Sequence, residues 1–227
     1  MIVVAFDTAS PSTVAGVLRA DGQVVEARDD PPAGSRGDHA ARLLALVEQA
    51  LAQASVGWGS VDRLAVGIGP GGFTGLRIGV ATARALAQGH GLPLVPVGSL
   101  EALALGAGAG AGGAGAVAAV LDARRGEVFA AVWEGGRERS APAALAPEVL
   151  AQRLGQLGET VRAVGDGAVR FRAELEASGV TVPADGASVH RISAAPLCRL
   201  GAMGEPAECD RLLPDYRREP DAKPPQP

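Results

Sequence analysis

The apolar run MIVVAFD at residues 1–7 is echoed by AVAAVLD at residues 116–122. Each has the length and the unbroken hydrophobicity of a strand buried on both faces, and each ends in an aspartate. A second pair of segments repeats the echo in the same order. Ala65-Val66-Gly67-Ile68-Gly69 is matched by Ala163-Val164-Gly165-Asp166-Gly167. Two halves with one order of elements predict a duplicated fold.

The elements between these landmarks give the unit its form. Thr13–Ala20 and Gln23–Arg28 read as strands joined by the two-residue hairpin signal Asp21-Gly22. Asp38 is placed to cap a helix over His39–Ala54. Leu64–Ile68 is a strand, Gly69–Gly75 a turn, and Thr74 a candidate cap for a helix reaching Gln88. Pro93–Val97 is a further strand. In the second half, Arg124-Arg125-Gly126 turns into a strand over Glu127–Trp133, and Pro147 opens a helix to Leu157. Another helix is expected over Ala168–Ala177 and a last one over Ile192–Met203. The uncharged, glycine-rich stretch 102–121 reads as a loop running into a strand.

This is a βββαβα unit used twice: an α/β, actin-like (ASKHA) fold of two lobes, the architecture shared by actin, Hsp70 and sugar kinases. The expected division is an N-terminal lobe over residues 1–98, a smaller C-terminal lobe over 99–216, and a disordered tail over 217–227 with its prolines. Aromatic residues make up only 3 % of the chain and aliphatic ones dominate the 47 % that is hydrophobic. The core must therefore be built from Val, Leu, Ile and Ala, as in layered α/β proteins.

Composition excludes several chemistries. The only lysine is Lys223, so neither a Walker-type loop nor a Schiff base lies within the fold. Cys198 and Cys209 form no CxxC, which argues against a zinc ribbon and for a reducing, cytoplasmic compartment. His39, His90 and His190 include no i, i+4 pair for a helical metal site. The start carries no basic, cleavable leader, and residues 102–121 are too flexible to span a membrane, so neither export nor membrane association is expected. A formal net charge of −4 is unsuited to binding tRNA alone, because that affinity rests largely on neutralising phosphates.

Gly69-Pro70-Gly71-Gly72-Phe73-Thr74-Gly75-Leu76-Arg77-Ile78-Gly79 is the strongest local feature. A glycine-rich turn feeding a helix exposes N–H groups and a positive dipole end, which suits an anion. It is equally a tight turn that needs positive φ. Arg77 sits in a first helical turn, where the dipole does not favour a cation. An anion, a partner carboxylate or plain solvent exposure each account for it.

The same segment resembles the GPGSFTGLRIG signature of the TsaB (YeaZ) family. Asp7-Thr8-Ala9 resembles that family's opening DTA or DTS. Leu121 through Phe129 resembles its IDARMGEVY-like segment, and Pro214-Asp215-Tyr216-Arg217 its PxYLR, with the Leu missing. The four segments stand in the family's order and span nearly the whole chain.

The resemblance implies a degenerate actin-like protein without turnover of its own. It implies a scaffold subunit in bacterial tRNA N6-threonylcarbamoyladenosine synthesis, paired with its paralogue TsaD and joined by TsaE. It also implies a homodimer when isolated and contact with tRNA only through the complex. TsaD-type proteins carry HxxxH on the first helix, whereas His39 here is followed four residues on by Leu43, and one imidazole does not hold a metal. No catalytic residue and no metal ligand are assigned. Asp7, Thr8, Gly71, Gly72, Thr74, Gly75 and Arg77 are the nucleotide or anion candidates of a degenerate site. Asp7 reads either as a magnesium holder through water or, more simply, as the cap of a turn. No tightly bound cofactor is implied, with ATP or ADP and Mg²⁺ at the complex interface the one candidate. Asp122 and Glu127 read as surface acids paired with Arg124 and Arg125 rather than a peptidase pair.

The helix at 39–54 shows two apolar stripes, Leu44, Val47 and Leu51 beside Leu43, Leu46 and Ala50, which implies two packing partners. With the alanine-rich helix after Gly75, it offers a subunit interface at His39, Leu43, Leu46, Ala50, Ile78, Thr82 and Ala85. The competing reading is an enzyme, nucleotide-binding or glycopeptidase-like, of the same superfamily.

Overall fold

A computed structural model describes residues 1–218 apart from 33, 34, 36, 111, 113, 114 and 159. Strands β1 (Val3–Asp7), β2 (Thr13–Leu18) and β3 (Val24–Asp29) form an antiparallel meander. Helix α1 (His39–Ala54) then leads to β4 (Arg63–Gly69), which pairs parallel with β1. Helix α2 (Phe73–His90) leads to β5 (Leu94–Gly98), parallel to β4, and closes a sheet of order β3-β2-β1-β4-β5.

Helix α3 (Ser99–Gly106) crosses to the second half. There β6 (Ala116–Arg124), β7 (Glu127–Glu134) and β8 (Arg137–Leu145) form a second meander. Helix α4 (Pro147–Gly155) returns the chain to β9 (Val161–Val164), parallel to β6. The second sheet has the order β8-β7-β6-β9. Helices α5 (Asp166–Arg170) and α6 (Arg172–Glu176) stand where one helix was expected, and α7 (Ala194–Met203) follows with Pro196 in its first turn. Both halves thus contain βββαβα, with the first and fourth strands parallel in each.

Three features depart from the sequence reading. Residues 99–106, assigned partly to a loop, are helical. Helix α3 is buried at Ser99, Leu100 and Ala102–Ala104, so it shows no amphipathic stripe. Strand β8 is the edge strand of its sheet, mostly exposed and interrupted by Pro142, and its residues do not alternate between apolar and polar. Neither Asp38 nor Thr74 caps a helix with its side chain. Asp38 makes no such bond, and α2 starts at Phe73 behind Gly72.

The two stripes of α1 merge into one buried face. Leu43, Leu46, Val47, Ala50 and Leu51 are all 3 % exposed or less, packed against β2, β3 and α2. At 100° per residue these positions span a single wide arc, so both packing partners come from the same lobe. Leu44, 52 % exposed, stands apart.

A central core runs through both halves, from Val3, Ala5 and Val95 through Leu100 and Leu103 of α3 to Val117, Phe129 and Trp133. Helix α7, late in the chain, packs on β1, β2 and β4 of the first sheet. Residues 219–227, most of the tail expected to be disordered, lie outside the described residues. Arg217 and Arg218, assigned to that tail, have partners: Arg217 bonds Asp215, and Arg218 bonds the second half. Among the described residues, no helix is long and apolar enough to cross a membrane.

Candidate functional site

A cleft of about 870 Å³ opens between the halves. One wall carries the turn after β1 (Ala9, Ser10, Pro11), His39 at the start of α1, and Gly71–Gly75 at the start of α2. The other carries Leu121–Arg125, Phe129 and Asp166. Asp215, Tyr216, Arg217 and Arg218 complete the lining.

Asp7 does not reach the cleft. It is 1 % exposed; its Oδ2 accepts the Ser99 hydroxyl at 2.6 Å and its Oδ1 accepts the Ala9 N–H at 2.7 Å. Ser99 Oγ in turn accepts the Gly69 N–H at 3.1 Å. Burial raises the Asp7 carboxyl above its ordinary pKa, against the opposing hydrogen bonds from Ser99 and Ala9. The bond to a backbone N–H two residues on is the pattern by which aspartate closes a turn.

The glycines of the α2 turn serve close approach. A Cβ on Gly71 would collide with Ala9, one on Gly75 with the Thr8 carbonyl, and one on Gly79 with the Thr8 hydroxyl. Thr8 is fully buried and donates its hydroxyl proton to the Gly75 carbonyl at 2.7 Å. The Gly72 N–H donates to the Ala9 carbonyl at 2.7 Å. The Asp7–Ala9 turn therefore packs directly against the glycine backbone, while the other side of Gly71–Gly75 faces the cleft. Asp7, buried with both oxygens engaged, is not placed to hold a magnesium ion in the cleft.

Among the described residues, Arg77 pairs with no carboxylate. Its guanidinium lies 3.7 Å from the centre of the Phe73 ring, and its Nε donates to the Tyr216 hydroxyl at 3.0 Å. The Phe73 and Tyr216 rings are 5.2 Å apart. Tyr216 lies in the Pro214–Arg217 segment, so two stretches distant in sequence meet at one corner of the cleft. Thr74 is exposed beside them and lines the cleft.

His39 is nearly buried, its Nδ1 2.8 Å from the Thr13 hydroxyl. Burial pushes its pKa down, against the pull of Asp29 and Asp38. Among the described residues, no three His, Cys, Asp or Glu side chains gather to hold a metal ion.

Across the cleft, the β6–β7 turn is strained. Arg124 and Arg125 both have positive φ, 65° and 55°, before Gly126 at 79°. Asp122 accepts Arg124 at 3.3 Å and Arg170 at 2.7 Å, and Asp166 accepts the Asp122 N–H at 3.0 Å. Burial raises the Asp166 carboxyl, with the nearby Asp122 charge adding to the rise. Glu127 pairs with Arg218 at 3.5 Å. Arg124, Arg170 and Arg218 thus each have a carboxylate partner.

The expected interface residues divide. Leu43, Leu46 and Ala50 are buried inside the lobe. Thr82 and Ile78 are half-buried on α2, and Ala85 is exposed there. No local pattern marks Ser99, Phe73, Tyr216 or Arg218 as a site residue, because each meets a partner far away in the chain.

Two βββαβα lobes around a cleft define an actin-like protein. The fold is shared with the ROK hexokinase of Thermus thermophilus, 15 % identical over 89 % of this chain and 99 % of that one, at a TM-score of 0.51. A much nearer structure is YeaZ from Pseudomonas aeruginosa, 29 % identical over 95 % of this chain and 99 % of that chain, at a TM-score of 0.78. The family model "TsaD: tRNA N6-adenosine threonylcarbamoyltransferase" matches residues 31–166. The chain belongs to this TsaD-type family, in its TsaB (YeaZ) branch.

The tRNA threonylcarbamoyladenosine biosynthesis protein TsaB of Haemophilus influenzae is 42 % identical over 40 % of this chain and 38 % of its own length. The protein of the same description from Bacillus subtilis is 28 % identical over 96 % of this chain and 94 % of its own length. The matches to the first curated relatives span less than two-thirds of those proteins' length.

Proposed function

We propose that this protein is a non-catalytic subunit of the bacterial machinery that makes tRNA N6-threonylcarbamoyladenosine, acting as a scaffold for a TsaD-type paralogue together with TsaE. The observation that carries this reading is the close packing of the turn: Thr8 and Ala9 lie directly against Gly71, Gly75 and Gly79, and Asp7 takes no part in the cleft wall. Two further observations support it. His39 is engaged with Thr13, and the position four residues along α1 is the core residue Leu43. Asp7 spends both carboxylate oxygens inside the fold.

The subunit contact lies on the outward sides of α1 and α2, which pack against each other. Its apolar part is Leu44 on α1, with Ile78, Thr82 and Ala85 on α2. The same surface serves a homodimer when the paralogue is absent, and tRNA is met only in the assembled complex.

The test is light-scattering mass on a sizing column, for this protein alone and mixed with the TsaD-type protein of the same organism. A heterodimer replacing the homodimer is the expected result, with Leu44→Asp abolishing it. Failure to associate, with nucleotide and TsaE present, overturns the reading.

A further inference from the structure

The last described residues run from one lobe to the other. Leu212 is buried in the first lobe, and the Asp215 N–H donates to the Ile68 carbonyl at 2.8 Å, at the end of β4. Tyr216 then joins Phe73 and Arg77 on α2. Two residues on, Arg218 has crossed to the second lobe. Its Nη1 donates to the Ala123 carbonyl at 3.2 Å, and its Nη2 lies 3.5 Å from Glu127. Both contacts fall on the strained β6–β7 turn.

Beneath this crossing, Ala9, Leu121 and Phe129 belong both to the cleft lining and to the core shared by the lobes. The cleft therefore has an apolar floor that joins the lobes and a polar crossing at its mouth. A packed floor resists being pulled apart but tolerates pivoting. The mouth contacts are of another kind: a half-exposed ion pair, one backbone bond and an aromatic shelf under a cation, each weak by itself and exchangeable with water.

We propose that residues 214–218 form a strap that holds the two lobes closed over the cleft, fastened by Tyr216 to the Phe73–Arg77 corner and by Arg218 to the β6–β7 turn. Releasing either fastening opens the cleft about its apolar floor. The strap operates whether or not a paralogue is the partner, so its failure and the failure of the scaffold reading show up in different experiments.

The experiment is a spin-label distance measurement across the cleft in the full chain. Labels are placed on cysteines introduced at the exposed Gln49 of α1 and Gln152 of α4, with Cys209→Ser to prevent stray labelling. The distance distribution is compared for the intact strap, for Tyr216→Ala with Arg218→Ala, and for a chain ending at Leu213. Circular-dichroism melts of each variant report folding. The intact strap gives one narrow distance, and both strap variants give a longer mean and a wider spread while keeping a cooperative melt. Arg211→Ala, which removes an exposed arginine paired only locally with Glu208, leaves the distribution unchanged. An unchanged distribution in the double variant overturns the proposal. So does loss of folding in the double variant, since the segment would then be part of the core rather than a releasable strap.

Discussion

The Ser99 hydroxyl donates to Asp7 Oδ2 at 2.6 Å across 92 positions of sequence, and so ties the first residues of α3 to the end of the first strand. With the Ala9 N–H on the other oxygen, it satisfies a carboxylate that has almost no contact with solvent.

Replacing Ser99 by alanine leaves that buried oxygen without its donor and frees the Gly69 N–H. The expected loss is about 1–3 kcal/mol, measured by urea unfolding at neutral pH.

The raised pKa of Asp7 fixes the sign of a pH effect. A carboxyl whose folded pKa lies above its unfolded value contributes stability that is present below the unfolded pKa and is lost as pH rises through the folded one. Asp7→Asn mimics the protonated form. The stability advantage of the native protein over Asp7→Asn is therefore expected to shrink as pH is raised from acid to neutral in parallel denaturant titrations. An advantage that grows with pH would contradict the assignment.

Gly75→Ala puts a methyl group against the Thr8 carbonyl at the join between the β1 turn and α2. Overpacking of this kind costs about 1–3 kcal/mol. Gly57→Ala, with nothing near its added Cβ, is expected to stay within about 0.5 kcal/mol of the parent in the same thermal melts.

Leu43 and Leu44 are neighbours with opposite fates. Leu43→Ala opens a cavity beneath α1 and is expected to cost about 2–5 kcal/mol. Leu44→Ala is expected to leave unfolding nearly unchanged and to weaken self-association on a sizing column.

The cysteines also separate. Burial pushes the Cys198 thiol up to about 12, whereas Cys209 is partly exposed. A disulfide reagent at pH 8 is expected to titrate one thiol in the folded protein and two in denaturant.

Much of the fold was legible along the chain. The echo between MIVVAFD and AVAAVLD marks the parallel-paired first strand of each half, and α1 spans the residues its periodicity predicted. Helix α3 and β8 escaped because one is buried on nearly all sides and the other on almost none, so neither carries a periodic signal. Spacing alone does not say whether the adjacent stripes on α1 meet one wall or two, and here they meet one lobe.

The site was less legible. Asp7, Thr8 and the glycine run are recognisable as a motif, but the residue that fills the space against those glycines is a matter of contact. The sequence by itself determined the duplicated unit, the aliphatic core, the absence of a lysine within the described fold and the family signature. These rest on residue type and local spacing. It took the three-dimensional packing to turn Asp7 inward to Ser99, to set Thr8 against Gly75 and Gly79, and to carry Tyr216 and Arg218 across the cleft. Each is a contact between residues about 67 to 139 positions apart in the chain. Such pairs are chosen by the packing of two lobes on one core, a choice that no local pattern encodes.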